Sequence, residues 1–165
     1  ESLVVDSFKK SKTTVVESED EEIEEIWFKK FISSFNFDCF TIKPTWLNGK
    51  ELDIYIPDLN LAIEINGSIY HHSTSCTNSF LDSFCNYSNY HLDKYLKCKE
   101  NHINLIHIFE FENLDKWKEI LIKYINNKNK YSISFTNLHR NIKTNNMVLD
   151  YYGKSEINLN EKTNT

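Results

Sequence analysis

Apolar residues recur at helical spacing in the first third of the chain, directly behind a run of acidic residues. The recurring positions are Ile23, Ile26, Trp27 and Phe31. A serine at position 18 followed by carboxylates suits the start of a helix, because both stabilise its positive N-terminal end. The pattern predicts an amphipathic helix over residues 19–34, with the acidic first turns in solvent unless one glutamate turns inward.

Three strand-like segments follow this helix. Residues 40–47 lead to an Asn-Gly pair at 48–49, which is typical of two-residue hairpin turns. Residues 51–56 are rich in β-formers, and residues 57–60 have turn composition. Residues 61–65 are short and mostly apolar, which predicts a buried central strand.

The second half of the chain alternates loop, helix and strand. A polar loop at 68–87 precedes a helix that begins at Tyr90 and ends near His102. An apolar strand at 104–109 and a surface helix at 114–126 follow. Helix, β-meander, helix, strand and helix together predict an α/β sandwich with a central mixed β-sheet flanked by helices.

The length of 165 residues suits one domain with a substantial core. We assign residues 1–17 to a linker or N-terminal extension and residues 18–126 to the folded domain. Residues 127–165 are polar and Asn-rich, so they either add a strand, dock elsewhere or act as a linker. Because the first residue is Glu and not Met, we expect a piece of a longer protein.

The net charge and the cysteine content limit the possible partners and the cellular location of the protein. With 19 basic and 24 acidic residues the net charge is −5, which counts against a nucleic-acid partner. Much of the acid, however, lies in the run at 17–25, and the local field matters more than the sum. The sequence contains no apolar run of roughly 18 residues that could span a membrane. It also shows no signal-peptide pattern. The four cysteines are too scattered for a disulfide scaffold. We expect an intracellular protein that is neither secreted nor membrane-embedded.

Two carboxylates, Asp53 and Glu64, lie on predicted neighbouring strands on either side of a tight turn. Such carboxylates can converge on one side of a sheet and supply the hard oxygen ligands that Mg²⁺ or Mn²⁺ prefers. Glu64 interrupts an apolar strand, and a buried carboxylate is unfavourable unless it is paired or metal-bound. The alternative is an edge-strand glutamate that faces water.

Two histidines, His71 and His72, follow the strand directly. A histidine beside a bound phosphate can act as a general acid or base near neutral pH. Paired histidines on a loop are also common as a solvated pair or as zinc ligands, so the histidines alone do not decide the chemistry.

Five segments occur in an order that resembles a known family. They are ELDIYIP at 51–57, LAIEING at 61–67, Tyr70-His71, YHLDK at 90–94 and INLIHIFE at 103–110. Together they resemble the PD-(D/E)xK nuclease superfamily, and within it the branch of very-short-patch-repair endonucleases and phage EDxHD homing endonucleases. The resemblance covers residues 18–126. It implies a restriction-endonuclease-like fold and a metal-dependent DNA endonuclease of the homing or mobile-element type.

The resemblance also implies roles for individual residues. Asp53 would be the principal metal ligand, Glu64 the second carboxylate, and His71 the histidine that activates or positions the attacking water. Asn66 stands where the superfamily usually has Lys. It supplies no positive charge and can only hydrogen-bond to a phosphate or a water.

The missing charge has two candidate sources, Lys94 and His91, which lie one helical turn apart. The alternative is a solvated lysine beside a partly buried histidine. The family also places an acidic residue on the first helix facing the site. Glu22 fits that position and Glu25 fits nearly as well, the alternative being a solvated face.

Repair-enzyme relatives carry a structural zinc near the polar loop, and zinc ligand types occur here at His72, Cys76 and Cys85. Their spacing matches no compact zinc pattern and no fourth ligand is evident, so we expect thiols and no zinc. Cys39 and Cys98 are expected to pack in the core.

Two other functions fit the same residues. One is a catalytically inactive nuclease-fold module for protein interaction or structure, which the missing lysine and the acidic charge favour. The other is an RNA-cutting enzyme on the same fold. In the leading interpretation DNA is the partner, and a DNA-recognition domain N-terminal to this chain supplies target reading and most phosphate contacts.

Overall fold

The computed structural model describes residues 14–15, 23–66, 87–143 and 148–160. The helices are α1 (Ile23–Ser33), α2 (Tyr87–Glu100) and α3 (Leu114–Asn126). The strands are β1 (Thr14–Val15), β2 (Phe40–Lys43), β3 (Leu52–Ile56), β4 (Leu61–Asn66), β5 (Asn104–Phe109), β6 (Tyr131–Lys143) and β7 (Val148–Leu159). Described residues up to Ile65, with Leu96–Leu105, form one compact unit, and the others form a second. None of the described helices is long and apolar enough to cross a membrane.

Strands β1 to β5 lie in that order in one sheet, and β6 and β7 form a second sheet. Strands β1 to β4 pair antiparallel. Strand β5 runs parallel to β4, since the Asn104 N–H donates to the Asn60 carbonyl and the Glu110 N–H donates to the Asn66 carbonyl. The predicted α/β class with a central mixed sheet accompanied by helices is confirmed.

Strand β4 is buried along its whole length, as its apolar sequence predicted. Helix α1 is also confirmed within the described residues, but its buried face differs from the predicted one. Phe28 and Ile32 are fully buried, whereas Ile26 is 38% exposed. Trp27 and Phe31 stack on each other beside this face, with ring centroids 6.1 Å apart. Two apolar faces overlap on this helix, one through Ile26 and one through Phe28. The structure buries the face that contains Phe28.

The strand predicted at 40–47 is confirmed only over Phe40–Lys43, and its two-residue hairpin turn is wrong. Strand β2 ends at Lys43, before Pro44, whose ring removes a backbone donor. A 3₁₀ turn over Thr45–Leu47 follows and closes at Asn48, which has a left-handed φ of 54°. Ile42 pairs with Leu52, so the connection is much longer than two residues.

The second unit contains a long antiparallel hairpin, formed by β6 and β7, in residues that the sequence left open between strand and linker. The pairing runs from Tyr131 opposite Leu159 to Lys143 opposite Val148, with a shift between Thr136 and His139. Alternate residues of β7 are buried, namely Leu149, Tyr151, Gly153 and Ser155. This period of two shows that one face of the hairpin packs inward.

Gly153 lies where the hairpin packs closely against the Phe135 ring. Its φ is +119°, and a methyl group built there would overlap the Phe135 ring, with Cε2 at 2.7 Å. We expect Gly153→Ala to lower the free energy of unfolding by about 3 kcal/mol through backbone strain and overpacking. Gly49→Ala is the matched control, since Gly49 has φ +85° but no atom within 4 Å of the added methyl. Equal losses of stability for both variants in urea melts would contradict the packing argument.

Candidate functional site

The two predicted carboxylates face each other across β3 and β4. The strand register pairs Ile54 with Ile63, and one further step along each strand sets Asp53 opposite Glu64. The Asp53 N–H donates to Glu64 Oε1 over 3.1 Å, and the Ile65 N–H donates to Asp53 Oδ2 over 3.1 Å. Each carboxylate therefore binds the main chain of the opposite strand, and both side chains are fixed at one point of the sheet.

The two carboxylates differ in how far they are exposed to solvent. Glu64 is only 5% exposed, whereas Asp53 is partly exposed. The alternative of an edge-strand glutamate in water is therefore wrong. Carboxylate charge at such a position is unfavourable unless hydrogen bonds or a cation compensate it, and one backbone N–H already bonds to each carboxylate.

A polar chain from α1 supports the strand that carries Asp53. The Thr41 hydroxyl donates to the Asp53 carbonyl over 2.7 Å, and it accepts from Lys29 Nζ over 2.8 Å. Glu25 Oε1 lies 3.3 Å from the same Lys29 nitrogen. Since Thr41 is 4% exposed, these bonds lie inside the first unit and fix the backbone at Asp53.

Of the two acidic residues proposed on the first helix, Glu25 lies within the described residues. Its side chain is 13% exposed and points toward β2, so the solvated-face alternative is wrong for Glu25. Glu22, the first choice, lies outside the described residues.

In the second unit the candidate Asn66 belongs to a buried polar cluster with two histidines. Asn66 Nδ2 lies 3.1 Å from His107 Nδ1, and His107 Nε2 lies 3.1 Å from the His91 carbonyl oxygen. The rings of His91 and His107 meet edge to face, with centroids 4.9 Å apart. Asn66, His91 and His107 are each 1% exposed.

Lys94 is 5% exposed on α2, three residues after His91. The alternative of a solvated lysine is therefore wrong. A buried ammonium must be compensated by polar or charged groups, so a lysine in this environment is unusual for a purely structural helix face.

His71 lies outside the described residues, as do His72, Cys76 and Cys85. Within the described ranges no three His, Cys, Asp or Glu side chains are grouped as metal ligands. Cys98 is fully buried, as predicted, and Cys39 is only partly so.

Burial raises the pKa of the Cys39 thiol from 9.0 to about 11, although Ser33 and Lys29 act in the opposite direction. At about pH 8 we therefore expect iodoacetamide to alkylate Cys39 roughly 100-fold more slowly in the folded than in the unfolded chain. The neutral thiol favours the folded state below about pH 9, and this contribution is lost as the pH rises through about 11. Peptide mapping by mass spectrometry measures the rate, and equal rates in both states would contradict the expected burial.

Sequence reasoning missed three residues of these clusters, namely Lys29, Thr41 and His107. His107 had a visible signal, because it interrupts the apolar run of β5 as Glu64 interrupts that of β4. Lys29 and Thr41 had none, since their roles depend on how α1 lies against β2 in the first unit.

The comparisons with known proteins add no relative. No family model matches this chain, and neither a curated protein nor a solved structure matches it.

Proposed function

We propose that this chain is a metal-dependent DNA endonuclease, of the homing or mobile-element type, that hydrolyses phosphodiester bonds. The observation that carries the proposal is the buried Glu64 carboxylate facing Asp53 across two antiparallel strands. Two carboxylates held together repel each other, and a divalent cation between them would remove that repulsion. A purely structural pair at this place would gain more from apolar side chains.

The donor set fits Mg²⁺ or Mn²⁺ better than zinc. Asp53 and Glu64 offer carboxylate oxygens, which are hard ligands, and the described part of their strands contributes no thiolate. When bound, such an ion polarises a phosphoryl group and makes a water more nucleophilic. The two backbone N–H bonds hold the carboxylates in place beforehand, so little order would be lost on binding.

The remaining roles follow the motif resemblance. In the hydrolysis, a water oxygen bonds to phosphorus while the bond to the 3′-oxygen breaks. His71 would take the proton of the water, and Lys94, with His91, would stabilise the charge on the leaving oxygen.

The charge distribution supports a nucleic-acid partner better than the net charge does. Residues 1–66 contain 7 Lys and Arg against 14 Asp and Glu. Residues 87–160 contain 11 against 8. Phosphate contacts from this chain would therefore come from the later residues, and a recognition domain N-terminal to it would add others.

Incubation of supercoiled plasmid with the chain and Mg²⁺ or Mn²⁺ tests the proposal. We expect nicked or linear product that EDTA prevents, and none from an Asp53→Ala protein purified in the same way. Cleavage that survives in Asp53→Ala would point to a contaminant or to another ligand set. A single-stranded RNA substrate run in parallel distinguishes DNA from RNA preference.

A catalytically inactive nuclease-fold module is the second candidate, and the acidic excess of residues 1–66 favours it. The two functions differ in their response to metal alone. A working site stabilises the fold when Mg²⁺ binds it, by mass action. An inactive module should melt at the same temperature with Mg²⁺ or with an equal ionic strength of NaCl.

A further inference from the structure

We propose that His107 is a positioning residue that fixes the Asn66 amide so that its oxygen, Oδ1, is presented as a hydrogen-bond acceptor for the attacking water. This inference rests on the proposed nuclease function and refines the role of Asn66 in it. His107, Asn66 and His91 lie together in the second unit.

The hydrogen bonds of His107 determine its tautomer. A carbonyl oxygen can only accept, so the 3.1 Å contact between His107 Nε2 and the His91 carbonyl requires a proton on Nε2. In the neutral ring, Nδ1 then carries a lone pair. The atom of Asn66 that faces Nδ1 at 3.1 Å must therefore be its N–H donor, which fixes the orientation of the amide.

The ring that makes these bonds is immobilised on several sides. Edge-to-face contacts hold it against His91 at 4.9 Å and Phe135 at 5.4 Å, and a tilted contact joins it to Phe109 at 6.5 Å. The His107 N–H donates to Ser155 Oγ over 2.8 Å, which anchors the backbone beneath the ring. The imidazole can therefore hold the Asn66 amide without rotating.

Asn66 has the right place on its strand for this role. It follows Glu64 by two residues on β4, so both side chains point to the same face of the strand. Its carbonyl accepts the Glu110 N–H over 2.9 Å, which fixes the main chain as well.

The fixed orientation decides between the two partners that the sequence left open. Phosphate oxygens only accept hydrogen bonds, so Oδ1 cannot bond to them. A water can donate to Oδ1 and keep a lone pair for attack on phosphorus. Asn66 would thus orient the nucleophile and would not replace the positive charge of a lysine.

Two substitutions of His107 separate its bond to the Asn66 amide from its bond to the His91 carbonyl. His107→Asn places an amide oxygen near the Nδ1 position and keeps an acceptor for Asn66. His107→Gln places its amide near the Nε2 position, so it keeps the bond to the His91 carbonyl and loses the one to Asn66. We expect His107→Gln to lower kcat for plasmid cleavage at least about tenfold with KM unchanged, and His107→Asn to stay within about threefold of wild type.

A double-mutant cycle adds a readout that a merely structural role would not move. In an Asn66→Ala background, His107→Gln is expected to cause no further loss of kcat. Equal losses for both His107 variants, or losses that multiply in the Asn66→Ala background, would overturn the proposal.

Side-chain ¹⁵N NMR of the whole chain separates failure of this inference from failure of the nuclease proposal. We expect His107 to show a protonated Nε2 and an unprotonated Nδ1 at about pH 7. The chemical shifts of the Asn66 side-chain amide should change in His107→Gln and stay at their wild-type values in His107→Asn. This pattern in a protein that cuts no nucleic acid would refute the nuclease role and keep the fixed amide. A proton on Nδ1 would refute the positioning role itself.

Discussion

Replacing Glu64 by Gln is expected to lower metal-dependent DNA cleavage by roughly 100-fold or more. The amide keeps the volume of the side chain and an oxygen that can accept the Asp53 N–H. Only the charge is lost, and with it most of the affinity for a divalent cation. The measurement is the initial rate of plasmid nicking across a Mg²⁺ titration, with the melting temperature recorded for each protein.

Asp58→Asn is the matched control for Glu64→Gln. Asp58 is an exposed acid in the 3₁₀ turn between β3 and β4, so its substitution removes the same charge within six residues of Glu64. It should cut like wild type, because exposed charges interact weakly through solvent. A Glu64→Gln protein that cuts at the wild-type rate with the same Mg²⁺ dependence would remove Glu64 from the site.

Replacing Glu112 by Ala is expected to destabilise the second unit strongly. Its Oε1 accepts from Arg140 over 2.9 Å, and its Oε2 accepts from the Phe109 N–H over 2.8 Å and from Trp117 Nε1 over 3.3 Å. Arg140 also lies over the Phe109 and Phe111 rings at 5.0 and 4.8 Å. One carboxylate thus joins β5, α3 and β6 within the second unit.

The expected loss for Glu112→Ala is about 3 kcal/mol of unfolding free energy. Side-chain exposures of 15% for Arg140 and 12% for Glu112 leave the guanidinium largely desolvated once its partner is gone. Two further donors also lose their acceptor. Chemical denaturation measures the loss, with Glu119→Ala on the exposed side of α3 as the control. A loss below about 1 kcal/mol would show that water replaces the carboxylate.

The helices and strands of the first 126 residues were largely predictable, because their apolar residues recur at periods that backbone geometry imposes. The β6–β7 hairpin was not predicted, although Tyr131, Ile133 and Phe135 alternate with polar residues. This alternation is a weak signal for a strand, because the segment is otherwise dominated by Asn, Ser and Lys. The misplaced hairpin turn has a different cause: Asn48 and Gly49 do adopt left-handed conformations, but they close a 3₁₀ turn.

The carboxylate pair was predictable because a charge in an apolar strand is costly enough to stand out in sequence. The bonds that hold it were not, since the partners of Thr41 are 12 residues away or more. His107 shows the same limit. Its place in an apolar strand is visible in sequence, yet the bond to Asn66 spans 41 residues and only the fold reveals it.

Binding of Mn²⁺ to the wild-type chain, measured by electron paramagnetic resonance, tests the central claim most directly. The Asp53–Glu64 pair predicts saturable binding in wild type and in Asp58→Asn, competition by Mg²⁺, and strong weakening in both Asp53→Asn and Glu64→Gln. No saturable binding, or equal binding in all four proteins, would show that these carboxylates hold no metal and contradict the account.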